Sequence, residues 1–240
     1  LSPRLDSLAG KICRIHPDGS IPEDNPLVTP TGSRRAVYAR GFRNPFRFCF
    51  ASDGRLFVAD VGSNGPERRE EITLIGPDTD GGWPATEGHF DEADHPGYSR
   101  PLIAYHDDGA AVVGCVVYEA DSFPAAFRGD LFHLDFVSSS LFRVRLDGDV
   151  AISRELFMKT PEVAVDLTVS PDGGLVFAGM FSGTVWKVTH EAAGAAPSGT
   201  TLGFGNLDVI RRQFIEEARG DGGRPRAMDA AVGGEIDLRP

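Results

Sequence analysis

The chain reads as an all-β protein built of repeated blades, a β-propeller, and three observations lead there. Glycine and proline (29 and 17 of 240 residues) are spread along the chain, as many short strands joined by turns require. A unit of strand, turn, strand, turn, strand recurs three times at about 45 residues per copy, which suits propeller blades. Apolar and polar residues alternate over short runs, and no 3.6-residue stripe of any length precedes residue 207.

The elements follow in order. Residues 11–15 read as the last part of an earlier blade. The first full copy opens at 46–50, where Phe46, Phe48 and Phe50 fall on one face and Arg47 on the other. Its turn is Ser52-Asp53-Gly54, its second strand 56–60, its third 70–75. An extra loop rich in Gly, Asp, Pro and His then runs over 76–110. The next copy has strands at 112–118, 131–135 and 141–146; Phe142, Val144 and Leu146 alternate there with Arg143 and Arg145. The last has strands at 164–169, 175–179 and 184–189, with the turn Pro171-Asp172-Gly173-Gly174 before the middle one.

At about Glu191 the composition changes, so the propeller segment spans 1–190 and a separate tail spans 191–240. Ala, Gly, Pro and Ser dominate as far as residue 200, a linker composition. Residues 207–219 fit one short amphipathic helix, with Leu207, Ile210, Phe214 and Ile215 against Arg211, Arg212, Glu216 and Glu217. Residues 220–240, rich in Gly, Asp, Arg and Pro, are expected to be disordered.

Composition excludes several functions. A net charge of −11 with no basic stripe argues against a nucleic-acid partner and an anionic membrane surface. No run of 18 apolar residues is present to insert in a bilayer as a helix. Cys13, Cys49 and Cys115 form no CxxC pair and no metal-ligand cluster. Cys49 and Cys115 lie in apolar strand-like runs and are expected as buried free thiols, with one disulfide left open. The chain starts at Leu1 with no signal-peptide pattern, which points to a processed product or a piece of something longer.

One stretch carries the most functional information. Gly41-Phe42-Arg43-Asn44-Pro45 precedes the alternating run to Phe50, followed by Ser52-Asp53-Gly54, Leu56-Phe57-Val58-Ala59-Asp60, Glu70-Glu71-Ile72 and Gly82-Trp83-Pro84. That order resembles the soluble glucose/sorbosone dehydrogenase family over roughly residues 5–190. The resemblance implies a β-propeller of four-stranded blades that oxidises sugars with pyrroloquinoline quinone (PQQ) and calcium. It also implies an extracellular or periplasmic setting. A closed ring of this family has six blades, and about three are present here. An open half-ring exposes apolar blade faces. The expectation is therefore the C-terminal half of a longer protein, its partner the missing N-terminal half, or a chain that closes by pairing with another.

Candidate site residues follow from chemistry and resemblance together. An arginine–asparagine pair at the entry to an innermost strand points a planar cation and an amide into the central funnel, and a fixed guanidinium suits a tricarboxylate. The resemblance places Arg43 and Asn44 against the quinone; the bland reading pairs Arg43 with a carboxylate and makes Asn44 a turn cap. The family's sugar-oxidising members usually have glutamine two residues after this asparagine, where this chain has Phe46. Glu71 matches a calcium-binding glutamate, and Gly81 matches the second ligand position, where a backbone carbonyl serves as a hard oxygen donor. The bland reading makes Glu71 an exposed member of a charged run. Gly62 and Ser63 align with a loop that in some members holds the calcium bridging protein and quinone. The Asp-Gly pairs at 18, 53, 147 and 172 are read as hairpin turns.

No catalytic residue is assigned. Sugar oxidation needs a base for the hydroxyl proton, and in the resembling family that histidine lies upstream of the Arg-Asn-Pro motif. Further quinone-facing cations of the family align with Val137, Val163 and Val165, which carry no charge. The sequence thus supports a PQQ- and calcium-dependent aldose dehydrogenase-like oxidoreductase, inactive as these 240 residues. The alternative is a non-catalytic propeller that binds a carbohydrate or a protein.

Overall fold

The computed structural model describes residue 4, residues 7–26, 33–106 and 110–190, and the backbone of 232–238. A two-stranded sheet comes first: β1 (Ile12–Cys13) pairs with β2 (Val37–Ala39). Three four-stranded sheets follow. The first blade holds β3 (Pro45–Phe50), β4 (Leu56–Asp60), β5 (Glu70–Ile75) and β6 (Ile103–Tyr105), antiparallel in chain order. The second is built the same way from β7 (Val112–Val117), β8 (Leu131–Asp135), β9 (Ser140–Asp147) and β10 (Val150–Lys159). The third joins β11 (Ala164–Val169), β12 (Leu175–Gly179) and β13 (Val185–His190) antiparallel, with β14 (Val232–Leu238) parallel to β13.

The nine strands of the repeats thus lie where the alternation and the turns put them. Three outer strands were not evident from sequence, and one of them, β14, lies within residues 220–240, which were expected to be disordered but whose 232–238 backbone pairs with β13. β6 lies inside the stretch read as loop, and only three of its residues pair with β5 (Ile72 opposite Ile103). A strand that short carries no periodicity of its own. β10 alternates exposed and half-buried residues on a blade's outer edge, so its apolar signal is weak. The linker from 191 and the helix expected over 207–219 lie outside the described residues.

The blades pack by their inner strands, β3 against β7 and β7 against β11. Between the first and second lies a cluster that includes Phe57, Ala59, Ile72, Val112, Cys115 and Leu131. Between the second and third lies another, with Tyr118, Phe132, Leu134, Leu167 and Phe177. Each large side chain buried there contributes about 1.5–3 kcal/mol. The Tyr118 hydroxyl pins the second interface by donating to the Gly173 carbonyl at 2.9 Å and accepting from the Phe123 amide at 2.9 Å.

The alternation in β3 is as expected, but its faces are used in an unexpected way. The Arg47 and Cys49 face turns toward the second blade, while Phe46, Phe48 and Phe50 are 39%, 54% and 60% exposed. Phe48 and Phe50 line an open groove of about 630 Å³ with Ile12, Ile15, Tyr38 and Leu56. The two-stranded sheet covers only the outer part of this face, around Phe42, Leu56, Val58 and Ile75.

His133 on β8 is wholly enclosed. Its ring stacks on Phe142 (centroids 5.2 Å apart, 12° between planes), and its Nε2 accepts from Arg154 Nε at 3.0 Å. The Arg154 guanidinium carbon sits 3.6 Å from the ring centroids of Tyr105 and of Phe142. Tyr105 belongs to the first blade and the other three to the second, so this stack joins the outer strands of neighbouring blades. Burial, helped by the Arg154 charge, lowers the His133 pKa to about 3 from 6.5. The unfolded chain therefore takes up this proton first, and the group's contribution to stability is lost as pH falls from 6.5 toward 3. Urea unfolding at pH 5 should show about 2 kcal/mol less stability from this group than at pH 7. In His133→Gln that component of the pH dependence should vanish; an identical slope in both proteins would contradict the assignment.

Candidate functional site

The first blade's register brings the sequence-predicted residues to one end of one sheet. Pro45 stands opposite Asp60, and Asp60 stands opposite Glu71. The Arg43-Asn44 turn and Glu71 are thus two strands apart in one row, with the Asp60 carboxylate between them. Asp60 is buried and accepts two backbone N–H groups, from Arg43 at 2.9 Å and from Asn44 at 2.6 Å. The Arg43 guanidinium donates to the Val61 carbonyl at 3.0 Å, and the Asn44 carbonyl accepts from the Val61 amide at 3.0 Å. Arg43 is half-buried and Asn44 exposed, which leaves the amide side chain open at the end of the sheet.

The bland reading of this pair is met only in part. A carboxylate does hold the turn, but through the two backbone amides; the guanidinium bonds to a carbonyl.

Glu71 is half-buried, not the exposed member of a charged run, and its Oε1 accepts from the Gly88 amide. Its neighbour Glu70 is 1% exposed and accepts from the Val112 amide at 2.9 Å, at the start of the next blade. Glu87 Oε1 accepts from the Ser63 amide at 2.6 Å and the Arg69 amide at 3.1 Å, closing the loop that contains Gly62 and Ser63. Gly81 lies against the Gly41-Phe42 turn; its amide donates to the Arg40 carbonyl at 2.9 Å, and its carbonyl accepts from the Thr86 hydroxyl at 3.3 Å. Glu71 and Gly81 share no hydrogen bond, but the loop over 80–88 touches both the Arg43 turn and Glu71.

The electrostatics of this end are lopsided. Burial, with repulsion among Asp60, Glu70, Glu71 and Glu87 adding to it, raises the Glu71 carboxyl to about 8. Burial raises Glu70 to about 7 and Asp60 to about 6, against the partial relief of their backbone hydrogen bonds. Such an excess of buried carboxylate is the donor chemistry a hard divalent cation satisfies. Among the described residues, however, no three His, Cys, Asp or Glu side chains converge in a metal-binding cluster. A cation held at this end would need backbone carbonyls among its ligands.

Sequence reasoning missed Asp60, Glu70 and Glu87. Asp60 did leave a signal, a carboxylate closing an apolar strand just where the Arg-Asn-Pro turn begins the neighbouring one. Glu87 left none, because its role depends on a loop that folds back. Val137 is exposed and Val163 and Val165 half-buried, so the later blades present no charge at the positions where cations were sought.

The model of the glucose/sorbosone dehydrogenase family matches residues 2–183. The chain belongs to that family. It is 29% identical over 201 residues to an aldose sugar dehydrogenase of Escherichia coli K12, covering 77% of this chain and 52% of that one. It is 37% identical over 84 residues to quinoprotein glucose dehydrogenase B of Acinetobacter calcoaceticus, covering 35% of this chain and 16% of that one. The fold matches the PQQ-bound form of aldose sugar dehydrogenase from Streptomyces coelicolor with a TM-score of 0.61 at 24% identity, over 75% of this chain and 48% of the other. The chain spans about half the length of the Escherichia coli relative.

Two substitutions test the scaffold of the site. Asp60→Ala strips the acceptor from two part-buried backbone amides and should cost about 1–3 kcal/mol in urea unfolding, with Asp60→Asn costing less. Gly41 has φ +79°, and a Cβ there would lie 2.0 Å from Asp80 Oδ1 and 2.7 Å from the Gly81 and Gly82 amides. Gly41→Ala should therefore cost at least about 2 kcal/mol in the same assay. Wild-type stability in either variant would show that the turn is not held as described.

Proposed function

We propose that this chain carries the cofactor-facing portion of a PQQ- and calcium-dependent aldose dehydrogenase, and that these 240 residues alone do not oxidise sugar. The observation behind the reading is the row Asn44-Pro45, Asp60, Glu71, which sets an Arg-Asn pair beside two carboxyls in a member of this family. Arg43 and Asn44 would hold the cofactor's carboxylates and carbonyls; Glu71, with carbonyls such as those of Gly81, Gly62 and Ser63, would hold calcium. When bound, PQQ supplies the quinone that accepts hydride from the sugar C–H.

The charge balance makes the two ligands interdependent. Carboxyls crowded at this end, Glu71 and Asp60 foremost, disfavour a tricarboxylate beside them, and one arginine offers little to offset that. A divalent cation at Glu71 reverses the sign of that field, so calcium binding should come first. Inactivity of the isolated chain belongs to the same proposal, because in the resembling family the base lies upstream of the Arg-Asn-Pro turn, and His133 here is buried and neutral. The family setting extends the proposal to an exported protein whose remaining blades come from a further N-terminal half. No helix among the described residues is long and apolar enough to cross a membrane.

A second reading, a propeller that binds a carbohydrate or protein without catalysis, is favoured by the uncharged positions Val137, Val163 and Val165. Calorimetric titration of the folded chain with PQQ separates the two. Binding in the micromolar range with calcium, weakened more than about tenfold by chelation or by Arg43→Ala, is the expected result. No heat with or without calcium would overturn the cofactor reading and leave the binding propeller.

A further inference from the structure

The inner strands of the first two blades carry one cysteine each, and the packing brings the two together. Cys49 on β3 stands opposite Phe57 in the ladder, and the Cys115 thiol on β7 lies 4.0 Å from the Phe57 carbonyl oxygen. Both sulfurs belong to the same apolar cluster, Cys115 buried inside it and Cys49 half-buried at its edge. Cα atoms of β3 and β7 approach within 8 Å of one another, close to the 4.4–6.8 Å that disulfides span. The nearness of Cys49, together with burial, holds the Cys115 thiol well above its ordinary pKa. The third cysteine, Cys13, is exposed and lines the groove on the opposite face of β3, beside Phe48 and Phe50.

We propose that Cys49 and Cys115 form a dithiol site that small-molecule disulfides oxidise to a disulfide, stapling the first blade to the second. The half-exposed Cys49 is the point of entry. Its thiolate attacks one sulfur of the oxidant, forming a mixed disulfide and releasing one thiolate, which takes up a proton. Cys115 then gives up its proton to solvent and attacks the Cys49 sulfur, breaking the mixed disulfide and releasing the second thiolate. Two cysteine thiols are oxidised and one disulfide is reduced to two thiols. The closed loop would span about 65 residues, a length at which cross-linking removes substantial unfolded-state entropy. The staple lies on the strand that Arg43 and Asn44 open, yet it does not depend on the sugar-oxidation reading.

Oxidised glutathione added to the reduced full-length chain is the test. Native alkylation followed by intact mass and peptide mapping should show the loss of two hydrogens, a Cys49–Cys115 linked peptide, and glutathione or alkyl on Cys13 alone. The oxidised form should melt roughly 10 °C above the reduced form, and Cys49→Ser should abolish both the link and the shift. Cys115→Ser should trap glutathione on Cys49. The wild-type mass readout stands without either variant if one fails to fold. Glutathione on Cys13 with Cys49 and Cys115 recovered as free thiols, or a link that includes Cys13, would overturn the proposal.

Discussion

Buried carboxylates that take backbone N–H groups hold the functional end of this protein in shape. Asp60 binds the amides of Arg43 and Asn44, Glu87 those of Ser63 and Arg69, Glu71 that of Gly88, and Glu70 that of Val112. Each bond ties a loop or a strand entry to the end of the first blade, where no neighbouring strand offers a carbonyl. An amide left unpaired at such a place costs about 1–3 kcal/mol. The same acceptors crowd negative charge together, which is why three of the four carboxyls are pushed up. Loop order at this end and its crowded negative charge thus come from one set of residues.

The second constraint is how one blade meets the next. Apolar area supplies most of the energy, but polar pins set the geometry. Tyr105 donates to Asp135 at 2.9 Å while stacking beneath Arg154, and Arg154 reaches His133. A first-blade strand with only three residues is held in place by side chains of the second blade. The exposed face of Phe46, Phe48 and Phe50 shows the converse, since a blade face left without an inner strand against it keeps its aromatic rings in solvent.

Particular residues show where the sequence was legible. The alternation at 46–50 identified β3 and split Phe from Arg correctly, because a strand's two-residue period is local. Arg43, Asn44 and Glu71 stood out through motif order, and the register then placed them in one row. Glu87 was silent because only the folded loop carries it to the Ser63 and Arg69 amides. The enclosure of His133 was likewise silent, because it comes from β8 lying between β7 and β9 and being covered on both faces.

The sequence by itself determined the strands of the repeated blades, their turns and the family, since these rest on neighbours within a few residues and on an ordered string of motifs. The tertiary structure decided which face of β3 is buried, which carboxylates serve the loops, how His133 is enclosed and which cysteines meet. Those outcomes depend on how blades stack across tens of residues, and no local pattern encodes that distance.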